Sequence, residues 1–402
     1  MDFPGSMNHE KRILHELLRL RRLTRTELCA RLGLSPAAIV RYTRDLIGRG
    51  FIREGEFASA EGAGRRSAFL ELNPDKGLAG AIALYRDRLQ AGLLSADGQL
   101  LYRREYRYSE GSEAAGLLKL IYRAAADTKA EALRQSREIL GIGIAMGGHL
   151  DPATGISHQY LFAKNWYSVP IRDMVGQKCG LPVFLIKDSN AAALGDACFG
   201  KAVGVSDFLS VWMGSGLGLG IFIDGRNYAG AAGYAGELGH TRGGDSGRLC
   251  YCGRRGCLES SCSEAYALER CRDGLQAGVV SSMNRLCGDR LEDLRIENAI
   301  AAANEGDRLS RTVFTEIGGR LGLSLSDLVN IFNPSLIVFR GPLIDGNRFL
   351  FDTIERSIRD SALQEAAAGL KMTYAETEEY IHLKGICALV LGGIIDTLQT
   401  EN

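Results

Sequence analysis

The stretch "DFLSVWMGSGLGLGIFIDGRNYAG", residues 207–230, alternates apolar runs with glycines and closes on an Asp-Gly pair. It reads as strand, bend, strand, turn and strand, because Asp224-Gly225 flanked by apolar residues is a tight-hairpin signal. A second stretch, "LAGAIALYRDRLQAGLLSADGQLLYRR" (residues 78–104), has the same order around Asp97-Gly98, 127 residues before Asp224-Gly225. A repeat on that scale predicts two α/β lobes of similar topology with a cleft between them, where ligands usually bind. Gly214, Gly216, Gly218 and Gly220 lack G-x-G-x-x-G spacing and lead into a strand, so no dinucleotide site is expected. They either let a backbone approach a phosphate or sugar or serve packing.

The chain has 402 residues, 46% of them apolar, which is enough for two or three domains. No run approaches the roughly 18 apolar residues of a membrane span, and the start, MDFPGSMNHEKRIL, lacks the apolar segment of a secretion signal. A cytoplasmic protein without a membrane partner is therefore expected. In that reducing compartment the ten cysteines read as scattered thiols plus one cluster, not as a disulfide framework.

Formal charge is zero overall but unevenly spread. Residues 1–70 hold thirteen Lys and Arg against eight Asp and Glu, a balance of +5 that leaves the rest at −5. A basic head of this kind fits nucleic acid, or simply a solvated helical face. Its pattern narrows the choice. "LTRTELCARLGLSPAAIVRYTRDLIGRGFI" (residues 23–52) predicts a helix over Thr26–Leu32, a cap at Gly33, and a second helix with Ser35 as N-cap and Pro36 in its first turn. That is helix-turn-helix grammar. Ile39, Leu46 and Ile47 are expected to pack inward, while Ser35, Ala37, Ala38, Arg41, Tyr42 and Arg44 are the candidate DNA contacts. A helix from about His9 to Arg19 would complete a three-helix core. After Gly50 the sequence turns to two strands around a Gly-rich tip, a wing whose Arg65 and Arg66 suit a minor groove.

The stretch "CYCGRRGCLE" (residues 250–259) gathers three cysteines, and "GYAGELGH" ends upstream at His240. His240, Cys250, Cys252 and Cys257 supply one nitrogen and three thiolates, a set suited to tetrahedral Zn²⁺ with no open position, hence a structural site. C-x-C spacing is a poor redox pair. A metal-responsive regulator would use the same ligands, but a closed site is better at bracing than sensing. The clamped loop carries Glu237 and Glu259 at its flanks.

These motifs, together with "GIGIAMGGHLDPATG" and "LPVFLIKDSNAAALGDACFG", resemble the ROK proteins (repressor, open reading frame, kinase) across nearly the whole chain. The winged head resembles that of the repressor branch, such as xylose and N-acetylglucosamine repressors. The resemblance implies an α/β fold with a winged helix-turn-helix over residues 1–75 and a two-lobed, actin-like, hexokinase-type body. Its first lobe would span 76–198 and its second, with the zinc loop, 199–402, the C-terminal helix packing back on the first. It further implies a sugar or sugar derivative in the cleft and a homodimer or homotetramer. By the same resemblance Asp188 matches the kinases' catalytic base, although the residue alone also reads as a helix cap. Glu237, His240 and Glu259 match sugar-contacting residues, Gly147 and Gly148 match a loop beside the sugar, and Asn165 is a further candidate. Lys187 stands where kinases usually have Asn, so it either pairs with Asp188 or recognises an anionic effector.

Two departures bear on activity. Ala83, Leu84, Tyr85, Arg86 and Asp87 replace the kinases' D-x-G-G-T-like phosphate loop, and Arg340 and Pro342 stand in the adenosine segment. Without small residues and the acid, backbone and Mg²⁺ have no hold on ATP phosphates. The expectation is a non-enzymatic, sugar-responsive regulator, most simply a repressor, acting on double-stranded operator DNA. The alternative is an ATP-dependent sugar kinase with an appended DNA-binding head.

Overall fold

In the computed structural model, which describes residues 8–57, 67–243, 245, 247–288, 290–375 and 380–398, the chain divides into two units. Residues 1–204 with 381–402 form one, and residues 205–380 the other.

The first unit begins with helices His9–Leu20, Arg25–Leu32 and Pro36–Gly48. The second helix starts at Arg25 because Thr24 and Glu27 close a reciprocal capping box. It ends at Gly33, whose φ of +65° is left-handed. Ser35 Oγ accepts from the Ala38 N–H at 3.3 Å and fixes the start of the third helix. Ile39 and Leu46 are fully buried. Ile47 is only half-buried, and Thr43 takes the remaining inward place, its hydroxyl satisfied by the Ile39 carbonyl at 2.8 Å. Strands Ile52–Phe57 and Ala68–Leu72 form the expected hairpin. A third strand, Arg22–Thr24, pairs with the far edge of Ala68–Leu72 and completes the winged-helix sheet.

The body of the first unit is a five-stranded sheet in the order 183–187, 139–146, 78–84, 88–95, 100–107. The first three strands run parallel and the last three form an antiparallel meander. The second unit repeats this plan in the order 371–374, 336–340, 208–213, 217–223, 226–227. In both, a meander comes first and two later strands add in parallel beside its first strand. The Asp-Gly positions sit in the second turn of each meander, with Gly98 at φ +77° and Asp224 and Gly225 at +53° and +71°. Ile82, Leu117, Ile121, Ile142 and Trp166 are central to one core, and Val211, Ile317, Leu321, Phe339 and Ile354 to the other.

Helix Ile381–Thr397 is apolar on almost every side and is correspondingly buried in the first unit. Its approach to helix Asp188–Phe199 is backbone on backbone. A Cβ at Gly385 would stand 1.8 Å from the Ala191 carbonyl oxygen, and one at Gly195 2.3 Å from that of Ile381. The head rests on this helix pair. Buried His15 meets Asp396 through Nε2 and Oδ1 at 2.8 Å, and Lys11 Nζ donates to the Asp396 carbonyl at 2.8 Å. The Arg21 guanidinium lies 4.6 Å over the Phe199 ring. A cavity of about 200 Å³, reached by Leu18, Arg21, Arg53, Glu71 and Asp97, leaves this seam incompletely packed.

Candidate functional sites

On the head, Arg41 and Arg44 are exposed on the third helix, with Ala37 exposed and Ala38 half-buried nearer its start. Arg41 Nη2 donates to the Tyr42 hydroxyl at 2.9 Å while its guanidinium lies 4.7 Å over that ring, so the pair presents one flat cationic surface. The Ser35 hydroxyl is taken up in capping. Arg65 and Arg66 lie outside the described residues. Sequence reasoning missed Arg25, which donates to Thr43 Oγ1 at 3.1 Å and to Glu54 Oε1 at 2.7 Å, tying the third helix to the wing strand.

In the body of the first unit, Gly147, Gly148, Lys187 and Asp188 gather at the carboxyl ends of parallel strands Ile139–Met146 and Val183–Lys187, a usual ligand position in α/β sheets. Asp188 opens a helix, and its Oδ1 accepts from the Ser189 N–H at 2.7 Å. Its Oδ2 lies 3.1 Å from where a Gly147 Cβ would stand, so this glycine leaves the carboxylate its room. Lys187 is buried. Beside them Ser189 Oγ and Asn190 Oδ1 are buried without a hydrogen-bond partner, two polar atoms that the sequence did not flag. Asn165 is exposed, has φ +57°, and donates to Glu113 Oε2 at 2.8 Å, a local tie.

The turn at Tyr85–Arg88 is stitched down by aromatic residues. Tyr160 donates to the Tyr85 carbonyl at 2.8 Å, Tyr108 donates to the same oxygen, and the two hydroxyls lie 2.8 Å apart. The Tyr85 hydroxyl lies 3.3 Å from His382 Nδ1, and Arg86 forks onto Glu110 at 2.9 and 3.0 Å. Burial pushes the Tyr108 hydroxyl up to about 12, so it stays a proton donor at neutral pH.

In the second unit His240, Cys250, Cys252 and Cys257 converge, their ligand atoms all within 4.8 Å of one another. His240 comes from a short 3₁₀ turn, Leu238–His240, and the cysteines from a tight loop in which Gly253 and Gly256 take φ of +84° and +75°. Cys252 and Cys257 sulfurs are 3.6 Å apart, and Cys250 Sγ is 3.7 Å from His240 Nδ1. A tetrahedron with Zn–S bonds of about 2.3 Å has edges of about 3.8 Å, so the cluster fits that ion. Burial pushes the Cys250 thiol up to about 12. Burial also acts to raise Cys252, but hydrogen bonds from Arg254 and the neighbouring thiols outweigh it and bring that thiol down to about 7. Arg248, unread in the sequence, anchors the loop by forking onto Glu269 at 3.0 and 2.6 Å.

Glu259 follows the last cysteine and is buried. Its Oε2 accepts from the Leu217 N–H at 2.9 Å, and a Cβ at Gly216 or Gly239 would stand 3.1 or 3.0 Å from that oxygen. Gly214 gives way in the same manner to Pro342, 3.2 Å from its would-be Cβ. For Gly214 and Gly216, then, the open question about the glycine run resolves toward packing. Glu237 immediately precedes the His240 turn.

Comparison with known proteins places these features. A winged helix-turn-helix DNA-binding profile matches residues 8–53, and the ROK family profile matches residues 79–392. The xylose repressor of Caldicellulosiruptor bescii is 29% identical over 385 residues, covering 95% of each chain. The crystal structure of a ROK family transcriptional regulator, described as a homologue of the E. coli Mlc protein, superposes with a TM-score of 0.78 at 27% identity. It covers 96% of this chain and 98% of its own. A ROK family glucokinase from Streptomyces griseus, in complex with glucose and AMPPNP, superposes with a TM-score of 0.70 at 26% identity, covering 78% of this chain and 99% of its own. With its profile spanning most of the molecule and its sheet plan duplicated as described, the chain belongs to the ROK family.

Proposed function

We propose that this protein is a sugar-responsive transcriptional regulator that represses genes of carbohydrate use by binding operator DNA through its winged head. A sugar or sugar derivative bound at the carboxylate sites of the body alters that binding, and a homodimer or homotetramer presents paired heads to a pseudo-palindromic operator. Zn²⁺ held by His240, Cys250, Cys252 and Cys257 braces the loop that carries Glu259. Similarity to proteins named as repressors supports the regulatory reading.

The observation that carries the non-enzymatic part is the turn at Tyr85–Arg88. In place of open backbone N–H groups it offers a carbonyl already taken by two tyrosines and a guanidinium already taken by Glu110. It also lacks the glycines that would let a backbone close on a triphosphate. The likeness to a glucokinase keeps sugar phosphorylation as the second reading. A mobility-shift assay on DNA from the protein's own promoter region, with and without neutral and phosphorylated sugars, tests the first. Specific retention changed about tenfold or more by one sugar is expected, and absence of any specific operator refutes it. Sugar-dependent ADP release that disappears in Asp188→Asn would establish the second instead.

A further inference from the structure

The cavity of about 200 Å³ at the seam between head and body is lined by three arginines, Arg21, Arg22 and Arg53, and two carboxylates, Glu71 and Asp97. Both carboxylates are engaged. Glu71 Oε2 lies 3.4 Å from Arg53 Nη2, and Asp97 Oδ1 accepts from the Ser95 hydroxyl and from the Gln99 N–H, the latter at 3.3 Å. Arg22 stacks 4.7 Å over the Phe69 ring and lies 3.9 Å from Glu56, an exposed pair that contributes little. The Arg21 guanidinium lies 4.6 Å over the Phe199 ring and, among the described residues, makes no hydrogen bond. Burial lowers this guanidinium from its ordinary range and outweighs the attraction of nearby Asp97, the mark of a cation stripped of water without a full partner. Its backbone is left-handed at φ +73°, a conformation that glycine adopts freely and arginine does not. The strain is accounted for by what the side chain does.

We propose that this cavity is a second ligand site, at the opposite end of helix Asp188–Phe199 from Asp188, for a small organic acid bearing one carboxylate. The planar fork of Arg21 matches the two oxygens of a carboxylate, and Leu18 and Leu72 receive the apolar part. Size sets an upper limit: an engineered cavity of about 150 Å³ accepts benzene, so this one takes a molecule only slightly larger. Charge sets the valence. Three arginines and two carboxylates leave the lining at +1, which one carboxylate neutralises, whereas a dianion would stand uncompensated against Glu71 and Asp97. Arg22 and Arg53 belong to the winged head and Asp97 to the first meander of the body. A bound acid therefore links the two and is a second input to operator affinity beside the sugar. That consequence rests on the DNA-binding reading, whereas occupancy of the site does not.

Calorimetric titration of the full-length protein with acetate, L-lactate and pyruvate, at ionic strength held constant with chloride, tests the site, with sulfate as the dianion. One saturable site per chain is expected for at least one acid, and sulfate should bind about tenfold more weakly or worse. Two substitutions push in opposite directions. Arg21→Gln removes the fork and is expected to weaken the best acid about tenfold, the order of one charge-assisted hydrogen bond. Asp97→Asn keeps an acceptor for the Gln99 N–H, removes the competing charge, and is expected to tighten binding about threefold. Thermal unfolding without acid checks that each variant folds, and if Arg21→Gln does not, Asp97→Asn alone carries the comparison. No binding of any acid, sulfate bound as tightly as the acids, or affinities unmoved by the substitutions would each overturn the proposal. In a mobility shift, a saturating acid is expected to change operator affinity about threefold or more, and an unchanged value removes its role as an input. If no specific operator exists, the regulatory reading falls and calorimetry still decides the site.

Discussion

Cys252 shows how a single residue in this protein serves a centre larger than itself. Against burial, hydrogen bonds from Arg254 and the neighbouring thiols bring its thiol down to about 7, so it lies nearest to the thiolate form, whereas burial pushes Cys250 up to about 12. Metal retention is therefore expected to weaken as pH falls, because protons compete for the same sulfurs. Cys252→Ser removes one ligand of four and leaves an open position. The expected outcome is a fall from about one zinc per chain to near zero after dialysis against a chelator, with a Tm lower by about 5–10 °C, as a loss of some 2–3 kcal/mol gives in a domain of this size. Metal analysis and thermal unfolding check it, and full retention of zinc would show that three ligands suffice. The Cys/His cluster was legible in the sequence because such clusters are built from Cys and His at short spacings, and the four side chains do converge. Tyr251 was not, since an aromatic residue in a loop announces no partner until His240 is brought beside it.

Elements were legible where local chemistry alone determines them. Gly33, Ser35 and Pro36 punctuate the head, and their capping appears as expected, whereas the Thr24–Glu27 capping box, which starts the second helix at Arg25 instead of Thr26, was not read. Strand Arg22–Thr24 was not readable, because three residues carry no period and their pairing with Phe69–Glu71 is a tertiary event. For the same reason the repeat was visible in the two meanders but not in Leu336–Arg340 and Lys371–Tyr374, whose places depend on parallel crossovers. Helix packing left a subtler trace in glycines that no turn requires. Gly385 lies within a helix, where glycine is intrinsically unfavourable. It is there because Ala191's carbonyl oxygen would be 1.8 Å from a Cβ. Gly385→Ala therefore gains helix propensity yet forces two helix backbones apart. A net destabilisation of about 3 kcal/mol is expected, at the upper end for overpacking. Thermal denaturation of the variant decides the matter, and a stability equal to or above the wild type would mean that the helix pair repacks at no cost.

Within the first unit, helix Asp188–Phe199 has the candidate ligand carboxylate at its first residue and the head's Arg21 against its last, about 16 Å away at 1.5 Å per residue. The C-terminal helix has the same relation, with His382 at its start on Tyr85 and Asp396 near its end on His15 and Lys11. Both helices are packed backbone on backbone through Gly195 and Gly385, so a shift at the Asp188 and His382 ends is expected to reach the head as a rigid displacement. At the seam itself Arg21 has a left-handed backbone at φ +73° and lines the cavity of about 200 Å³. Arg21→Ala removes the contact with Phe199 while leaving the third helix of the head and the body's carboxylates untouched. Operator affinity without sugar is expected to stay within about twofold of wild type, and sugar affinity likewise. The factor by which sugar changes operator affinity should shrink about fivefold, roughly 1 kcal/mol of coupling. Operator dissociation constants measured with and without sugar give this factor directly. Were it unchanged in Arg21→Ala and in Asp396→Ala alike, the helix pair would be a support for the head and not the route by which the body addresses it.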